Sequence, residues 1–574
     1  MFPSKIKILR FIFIAGFILF AFAKVANAQF EISDFFVDNT LDISGRSKIA
    51  AVSVKTSLNL YFYIEKPWWD AQYDLKKDEI LKNLDELSVE FQNNIYPNLT
   101  NIFGSERKPG IDNDNRITVL FHSVKGNEVG YFRTDDGYEK LQIPTSNARE
   151  MVYISTDLLT NSRLKVALAH ELVHLITFNQ KDINFRADED VWLNEARADF
   201  SSTILGYDDH VNLSNLQSRI RDFTESSSDS ITEWRGTKYD YASVSLFTHY
   251  LVDHYGVKIL SESLRSRYVG IESINYALDK YGYKEKFPEI FTDWTITLIL
   301  NDCSLGQKYC YLNKNLSSVK IVPNINFLPI SGSASLSVIN TVKNWAGNWQ
   351  KFIGGNGDIK LEFSFYGDSK FVVPYVIESK DGKYSIKYLT FENDKKDIIN
   401  IPDFGTYYKS LIIIPSLQGK FSDFIGPDVA QPFNYSVNVG PNPDDPNQLL
   451  IQQLLEQIEY LKKQIADLIV KQGGTINQDG VSSGSCPQIS NNLYFGMTAN
   501  SQVTCLQQFL KNQGADIYPE GLVTGYFGNL TRLAVKRFQE KYASEILTPL
   551  GLSSGTGYVG LRTRAKINLI ISGG

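Results

Sequence analysis

Histidine is scarce in this chain, with six among 574 residues, and methionine (three) and cysteine (four) are scarcer still. Beyond residue 23 no apolar run is long enough to cross a bilayer, which excludes a later membrane span. The net charge is −6, so the chain lacks the basic excess of a chain-wide nucleic-acid-binding surface. We therefore expect no nucleic-acid partner, and no membrane span in the mature protein.

The N-terminus is typical of an export signal. Three basic residues come first: Lys5, Lys7 and Arg10. An uncharged apolar run, 11–23, follows them, and Ala26-Asn27-Ala28 fits an A-x-A cleavage site. We predict that residues 1–28 are a signal peptide and that the mature protein is secreted, extracellular or associated with the cell wall. An uncleaved N-terminal anchor is the alternative, although the run is short for a membrane span.

The four cysteines fall into two local pairs. Cys303 lies close to Cys310, and Cys486 lies close to Cys505. An even number of cysteines in an exported protein favours two disulfide bonds, while four free thiols are the alternative. Neither pair has the spacing of a zinc ribbon.

A chain of 574 residues is expected to form several domains. Residues 29–318 combine short β-type runs with helical spacing, most clearly at 78–103 and 164–300, and predict an α+β domain. Residues 319–440 alternate apolar and polar side chains between Gly, Asp and Asn turns, which is typical of an antiparallel β-sandwich. We expect this second region to be a structural or substrate-presenting module.

A linker at 441–485 separates these regions from a C-terminal domain, 486–574. Within it, residues 449–470 place apolar side chains at heptad spacing: Ile451, Leu454, Ile458, Leu461, Ile465 and Leu468. A lone polar helix of this length is marginal in water and needs a partner. Self-association as a coiled coil, giving a homo-oligomer, and folding back on a neighbouring domain both remain open.

Two of the six histidines occur in the motif His170-Glu171-Leu172-Val173-His174. The surrounding run, 164–178, is apolar enough to be a buried helix, in which residues four apart share a face. Both imidazoles can therefore bind one zinc ion, while Glu171 faces the water that the ion holds. The alternative is an inert helix with two incidental histidines.

A third ligand is available in the segment Trp192-Leu193-Asn194-Glu195-Ala196-Arg197-Ala198-Asp199. Glu195 follows His174 by about twenty positions, and a second helix carrying it inward would complete a His₂Glu site with one position open for catalysis. Asp199, one helical turn further on, could accept the second N–H of a ligand histidine and so fix its tautomer.

H-E-x-x-H followed by N-E-x-x-x-D resembles the gluzincin metallopeptidases of the thermolysin-like type, and the Trp-Leu-Asn-Glu phrase looks closest to hyicolysin-like secreted peptidases. The resemblance covers roughly residues 110–300. It implies a zincin-like peptidase domain and three ligands for one catalytic Zn²⁺: His170, His174 and Glu195. It also implies that Glu171 is the general base and acid, and that Asp199 orients His170.

Gluzincins stabilise the oxyanion with a Tyr or a His, and this chain departs from the thermolysin pattern at that point. The best candidates are Tyr239 and Tyr241, which lie at the start of a predicted helix that continues to residue 255. A tyrosine at a helix start is also common as a packing residue.

Clustered carboxylates suggest a second, calcium-binding site. Four aspartates supply them: Asp112, Asp114, Asp135 and Asp136. The Asp-rich loop is too short for an EF-hand, and an ordinary turn is the favoured interpretation.

Four phrases recur in order near the C-terminus: Leu506-Gln507-Gln508-Phe509-Leu510, Gly525-Tyr526-Phe527-Gly528, Ala534-Val535 with Phe538-Gln539, and Gly560-Leu561-Arg562-Thr563-Arg564. They resemble the small three-helix peptidoglycan-binding domains over about residues 500–569. The resemblance implies that the domain binds peptidoglycan or another cell-wall polymer. Eight Lys and Arg against four Asp and Glu in residues 486–574 suit an anionic polymer.

Together these features predict a secreted zinc-dependent endopeptidase that acts on polypeptides and is tethered to the cell wall by its C-terminal domain. One alternative is a hydrolase of peptidoglycan cross-links. Another is a non-catalytic wall-binding protein, against which the intact set of ligands and base argues, because a relic would be free to lose any of them.

Overall fold

The computed structural model describes residues 31–126, 128–209, 212, 214–330, 334–391, 395–420, 430–440, 488–495, 497, 501–550, 552 and 554–573. The chain divides into two compact units, unit 1 (1–445) and unit 2 (446–574). The predicted signal peptide and the predicted coiled-coil helix 449–470 lie outside the described residues. Among the residues described, no helix has the length and apolar character that crossing a membrane requires.

Unit 1 begins with a mixed six-stranded sheet, built from β1 (Ile32–Phe36), β2 (Lys48–Thr56), β3 (Leu60–Glu65), β4 (Ile117–His122), β5 (Gly130–Tyr131) and β6 (Met151–Ser155). Their order is β1-β2-β3-β4-β6-β5, with β3, β4 and β6 parallel. Every residue of β4 is buried, as expected for a central strand covered on both faces. The two-residue strand β5 forms one edge of this sheet.

The helices of unit 1 are α1 (Lys66–Asp70), α2 (Asp74–Glu90), α3 (Tyr96–Phe103), α4 (Leu164–Thr177), α5 (Val191–Ile204), α6 (Asn215–Glu225), α7 (Lys238–Tyr255), α8 (Lys258–Leu264), α9 (Gly270–Lys280) and α10 (Phe287–Leu300). The helical spacing at 78–103 is confirmed, with a π-helical turn at Phe91–Ile95 between α2 and α3. The apolar run 164–178 is likewise a buried helix, α4.

The second half of unit 1 consists of β7 (Asn324–Leu328), β8 (Ala334–Val342), β9 (Gln350–Gly354), β10 (Gly357–Phe365), β11 (Phe371–Val372), β12 (Pro374–Ser379), β13 (Tyr384–Tyr388), β14 (Lys396–Phe404), β15 (Tyr408–Ile413), β16 (Ser416–Leu417) and β17 (Gln431–Val439). Nine of these strands form one sheet, and β11 pairs with β16 separately.

The nine-stranded sheet corrects the expectation of a β-sandwich with two separate sheets. One half has the order β13-β12-β15-β9-β7 and the other β14-β10-β17-β8. The pair Phe404–Tyr408 joins them across the turn at Gly405. The sheet therefore curls into a half-barrel around one apolar core, in which the rings of Phe352 and Tyr435 from opposite halves meet at 5.4 Å.

The helices and the curled sheet share part of their core. Trp345, in the loop between β8 and β9, is fully buried, and its ring meets Phe287 and Phe291 of α10 edge to face at 4.9 and 5.4 Å. Trp349 Nε1 donates a hydrogen bond to the carbonyl of Thr295 on the same helix (2.9 Å). Large aromatic rings thus fill the boundary, and the two parts of unit 1 form one packed body.

Unit 2 contains the helices α11 (Ser501–Asn512), α12 (Asn529–Lys541), α13 (Ala543–Ile546) and α14 (Leu561–Ile571). Their inward faces form a separate small apolar core that includes Leu506, Val535 and Phe538. The predicted helical character of this domain is confirmed.

One of the two predicted disulfides is confirmed: Cys303 and Cys310 are bonded. Cys505 is also disulfide-bonded, while its predicted partner Cys486 lies outside the described residues.

Candidate metal centre

Helices α4 and α5 bring the three predicted ligands together. The ligand atoms of His170, His174 and Glu195 all lie within 4.8 Å of one another. His170 Nε2 is 3.2 Å from Glu195 Oε2, and His174 Nε2 is 3.6 Å from Glu195 Oε1. In the part of the chain that the structure describes, this is the one group of three or more His, Cys, Asp or Glu residues with the proximity that a metal ion needs.

The electrostatics of this group fit a cation. Burial opposes the charge on Glu195, yet the two imidazoles lower the pKa of its carboxyl well below the usual range. In return, although burial favours the neutral ring, the Glu195 carboxylate raises the pKa of His174 to about 9. Two imidazoles and one carboxylate facing a common point are a donor set that suits zinc. The residues present therefore fit a zinc ion.

Glu171 lies beside this group. Its side chain is buried on α4, and burial raises the pKa of its carboxyl. Its Oε2 atom has no hydrogen-bond partner among the described residues. A Cβ atom at Gly130 would lie 3.0 Å from Glu171 Oε1 and 2.7 Å from the carbonyl oxygen of Tyr153. Glycine at position 130 therefore leaves space for the Glu171 carboxylate. The carboxylate is thus close to the cluster and uncommitted, as a general base must be.

Asn194 belongs to the site, although the sequence analysis gave it no role. His174 Nδ1 is 3.0 Å from Asn194 Oδ1, so the ring can donate to the amide oxygen and present Nε2 to the other ligands. The sequence could have indicated this role, since Asn194 is the first residue of the N-E-x-x-x-D motif.

We expect Asn194→Ala to weaken zinc binding by roughly 10–100-fold, because the ring of His174 loses the partner that fixes its tautomer. The measurement is a competition titration against a chromophoric chelator, with thermal melting to confirm that the fold persists. An unchanged zinc affinity in a folded variant would contradict this role.

Asp199 lies one turn beyond Glu195 and is buried. Its Oδ1 atom accepts hydrogen bonds from Arg219 Nε and Nη2 (3.0 and 2.7 Å) and from Asn215 Nδ2 (2.8 Å). Burial alone would raise the pKa of Asp199, but Arg219, helped by the charge of His170, lowers it. These hydrogen bonds tie α5 to α6, and the influence of Asp199 on His170 is electrostatic.

Of the two candidate tyrosines, the structure brings one to the cluster. The Tyr241 ring lies 6.5 Å from that of His170, beneath the guanidinium of Arg219. Burial and the nearby Glu195 carboxylate hold its pKa well above the usual range, so the phenol keeps its proton. Tyr239 instead donates to Glu225 and does not line the cavity.

A cavity of about 820 Å³ opens over the cluster. The three ligands and Glu171 line it, as do Gly130 and Tyr131 of the edge strand β5. Because β5 ends the sheet, its outer side can pair with an extended peptide.

A buried ion cluster holds the connection between α4 and α5. Glu189 Oε2 lies 3.1 Å from Lys181 Nζ and 2.8 Å from Arg197 Nη1, and all three side chains are buried. Both cations also bond to Ser263, through its carbonyl and its hydroxyl. The helices that carry the three ligands are thus fixed to each other and to α8.

The four aspartates considered for calcium are engaged by other protein groups, and Arg133 lies near both Asp135 and Asp136. Asp114 pairs with Arg116, and Asp135 pairs with Arg133. Asp136 accepts a hydrogen bond from the Tyr153 hydroxyl, and Asp112 accepts one from the backbone of Asp114. They do not group around a common point, so the structure gives calcium no cluster in the described residues.

None of the curated proteins matches this chain. Similar solved structures include the Yersinia pseudotuberculosis-derived mitogen (11% identity, 20% of this chain and 91% of that chain, TM-score 0.14). They also include the pre-peptidase C-terminal domain of collagenase from Bacillus anthracis (10% identity, 20% of this chain and 96% of that chain, TM-score 0.13). TM-scores of this size carry no argument.

One family model matches, and it bears on unit 2. The family is described as "Putative peptidoglycan binding domain", and the match covers residues 499–567. This range contains the four phrases on which the resemblance was based, together with α11, α12, α13 and the first part of α14. Residues 499–567 are therefore a peptidoglycan-binding domain.

Proposed function

We propose that the chain is a zinc-dependent endopeptidase held at the cell wall by its C-terminal domain. The observation that carries this proposal is the convergence of His170, His174 and Glu195 within 4.8 Å, beside a buried glutamate, Glu171, with an uncommitted oxygen. The zincin-like character of residues 29–318, the secretion of the chain and its enzymatic activity are parts of the same proposal.

A zinc ion held by the three ligands would supply a Lewis acid that activates water and polarises a carbonyl group. Glu171 takes a proton from the attacking water and passes it to the leaving amine, a role that its buried and uncommitted carboxylate suits. Tyr241 keeps its phenol proton and can donate it as a hydrogen bond to the developing oxyanion.

A polypeptide is the substrate class that the cavity favours. The edge strand β5 lies along the wall of the cavity above Glu171, where the backbone of an extended peptide can pair with it. Main-chain pairing positions a peptide bond regardless of its side chains, so specificity would come from the remaining wall.

The first test is metal content. The purified protein is expected to contain about one zinc per chain, and His170→Ala should lose it because two ligands do not hold zinc in a structural or catalytic site. Elemental analysis after gel filtration measures the ratio. The matched control is His254→Gln, which changes a histidine that contacts the Cys310 carbonyl outside the cluster and should keep the zinc. A zinc-free wild-type protein with full peptidase activity would overturn the assignment.

The same site could act on peptide cross-links of the wall, since the peptidoglycan-binding domain brings that substrate close. Incubation with casein and with isolated sacculi, with and without chelator, separates the two activities. Chelator-sensitive cleavage of casein supports a protein-cleaving enzyme, and release of cross-link peptides alone supports a wall hydrolase. If the zinc-loaded protein cleaves neither, the non-catalytic wall-binding alternative holds.

A further inference from the structure

Unit 2 contains the same set of hydrogen bonds twice. Equivalent residues of the two sets are 32 positions apart: 507 and 539, 524 and 556, and 526 and 558. Gln507 and Gln539 each donate through Nε2 to the carbonyl of a tyrosine 19 residues later, at 2.8 Å in both cases. Each also donates to a threonine hydroxyl 24 residues later, at 2.9 and 3.0 Å. The domain is therefore built from two equivalent halves.

Each half presents one tyrosine to solvent. Tyr526 and Tyr558 are both 43% exposed. Their rings lie against Gly528 and Gly560, where an added Cβ atom would come within 3.1 and 3.0 Å of the ring. Both glycines precede a helix with closely similar backbone angles. The fold thus holds the two rings at equivalent positions, with their outer surface exposed.

A short segment, of which residues 493–495 and 497 are described, connects the two halves. Leu493 accepts a hydrogen bond from the backbone N–H of Val559 (2.9 Å), and Met497 accepts one from that of Phe527 (2.8 Å). Two further exposed rings lie on the segment: Tyr494 and Phe495, each 53% exposed. Together with the rings of the two halves they form what we call the aromatic strip: Tyr494, Phe495, Tyr526 and Tyr558.

Two rings of the strip contact each other, and a third contacts an arginine. Tyr494 stacks on Tyr558, with ring centroids 6.4 Å apart and planes 22° apart. The guanidinium of Arg532 lies 5.5 Å from the centre of the Phe495 ring. Arg564 occupies the equivalent position in the second half, and both arginines begin their helices by donating a backbone N–H to the glycine beneath the tyrosine (3.0 and 2.9 Å). Each half therefore contains one exposed tyrosine and one arginine at matching positions of the repeat.

We propose that the aromatic strip is the surface through which unit 2 binds the glycan strand of peptidoglycan. This inference rests on the proposed binding to the wall and names the surface that performs it. Sugar rings present apolar C–H faces that stack on exposed aromatic rings, and the stem peptides carry carboxylates that pair with arginine. Two equivalent subsites suit a ligand that itself repeats along a polymer.

The test uses the full-length chain and two probes: isolated sacculi, and glycan strands from which an amidase has removed the peptides. Tyr526→Ala and Tyr558→Ala are each expected to weaken sedimentation with sacculi by roughly tenfold, the equivalent of about 1.4 kcal/mol for each lost ring contact. The double variant should lose binding to both probes. Tyr526→Phe, which keeps the ring, should bind within a few-fold of the wild type.

The control is Leu569→Ala, which removes a comparably exposed apolar side chain (52%) from α14, outside the strip. It should bind as the wild type does. If wild-type protein fails to sediment with sacculi, wall binding itself is wrong. If the wild type and a folded double variant sediment equally, wall binding stands and the strip is not the surface. Loss of binding to sacculi with no wild-type binding to bare glycan would assign the strip to the stem peptide and overturn the glycan proposal.

Discussion

Glu171→Gln is expected to reduce the rate of peptide cleavage by roughly 10²–10⁴-fold while leaving the zinc content at one per chain, because the proposed mechanism makes the side chain a proton carrier and not a ligand. The amide has nearly the same shape as the carboxylate, so it fits beside Gly130 without disturbing β5. The measurements are casein hydrolysis and elemental analysis on the same sample.

The control for this prediction is Glu128→Gln. Glu128 lines the same cavity with an exposed carboxylate and should change the rate by a few-fold at most. Cleavage at the wild-type rate by a zinc-loaded Glu171→Gln protein would show that Glu171 is not the base. Loss of zinc in this variant would instead indicate that Glu171 contributes to metal binding.

Trp345→Ala is expected to lower the free energy of unfolding of unit 1 by about 3–5 kcal/mol, the range for truncating a large buried aromatic ring. The ring is fully buried between the curled sheet and α10, and its removal leaves a cavity lined by Phe287 and Phe291. All seven tryptophans lie between residues 68 and 349, so tryptophan fluorescence in a denaturant titration reports on unit 1 alone.

The matched control is Tyr407→Ala, which removes a ring that is 67% exposed in the turn between β14 and β15. A change of about 0.5 kcal/mol or less is expected there, as for most surface positions. Equal stability of the Trp345→Ala and wild-type proteins would mean that the two parts of unit 1 do not depend on each other. Two separate transitions in the variant would show that Trp345 couples them.

Local features of the fold were predictable because they depend on neighbouring residues. Helix α4 was expected at 164–178 and begins and ends at Leu164 and Thr177, since its apolar run admits few alternatives. The alternating pattern over 319–440 indicated strands, and two of those found there are Gly357–Phe365 and Tyr384–Tyr388. Long-range pairing was not predictable: whether β14 and β15 belong to one sheet depends on the single pair Phe404–Tyr408.

In the candidate metal centre, too, local features were predictable and long-range contacts were not. Spacing alone placed the two histidines on one face of α4, and the phrase around Glu195 indicated the third ligand. The hydrogen bond from His174 to Asn194 depends on how α4 and α5 cross, which no local pattern encodes. The choice between Tyr239 and Tyr241 was also open, because two positions along a helix change the direction of a side chain by more than half a turn.

The buried cluster of Lys181, Glu189 and Arg197 has a consequence for how the site would exchange its cation. The cluster holds α4 and α5 together through protein groups alone, and truncating one of its members would leave a buried charge unpaired, at a cost of about 3–5 kcal/mol. The ligand geometry therefore exists before any ion arrives, unlike that of small zinc modules, which fold only around their metal. Removal of the ion with a chelator would abolish the proposed peptidase activity and leave unit 1 folded. The site of the proposed enzyme could therefore lose its ion and bind another without unfolding.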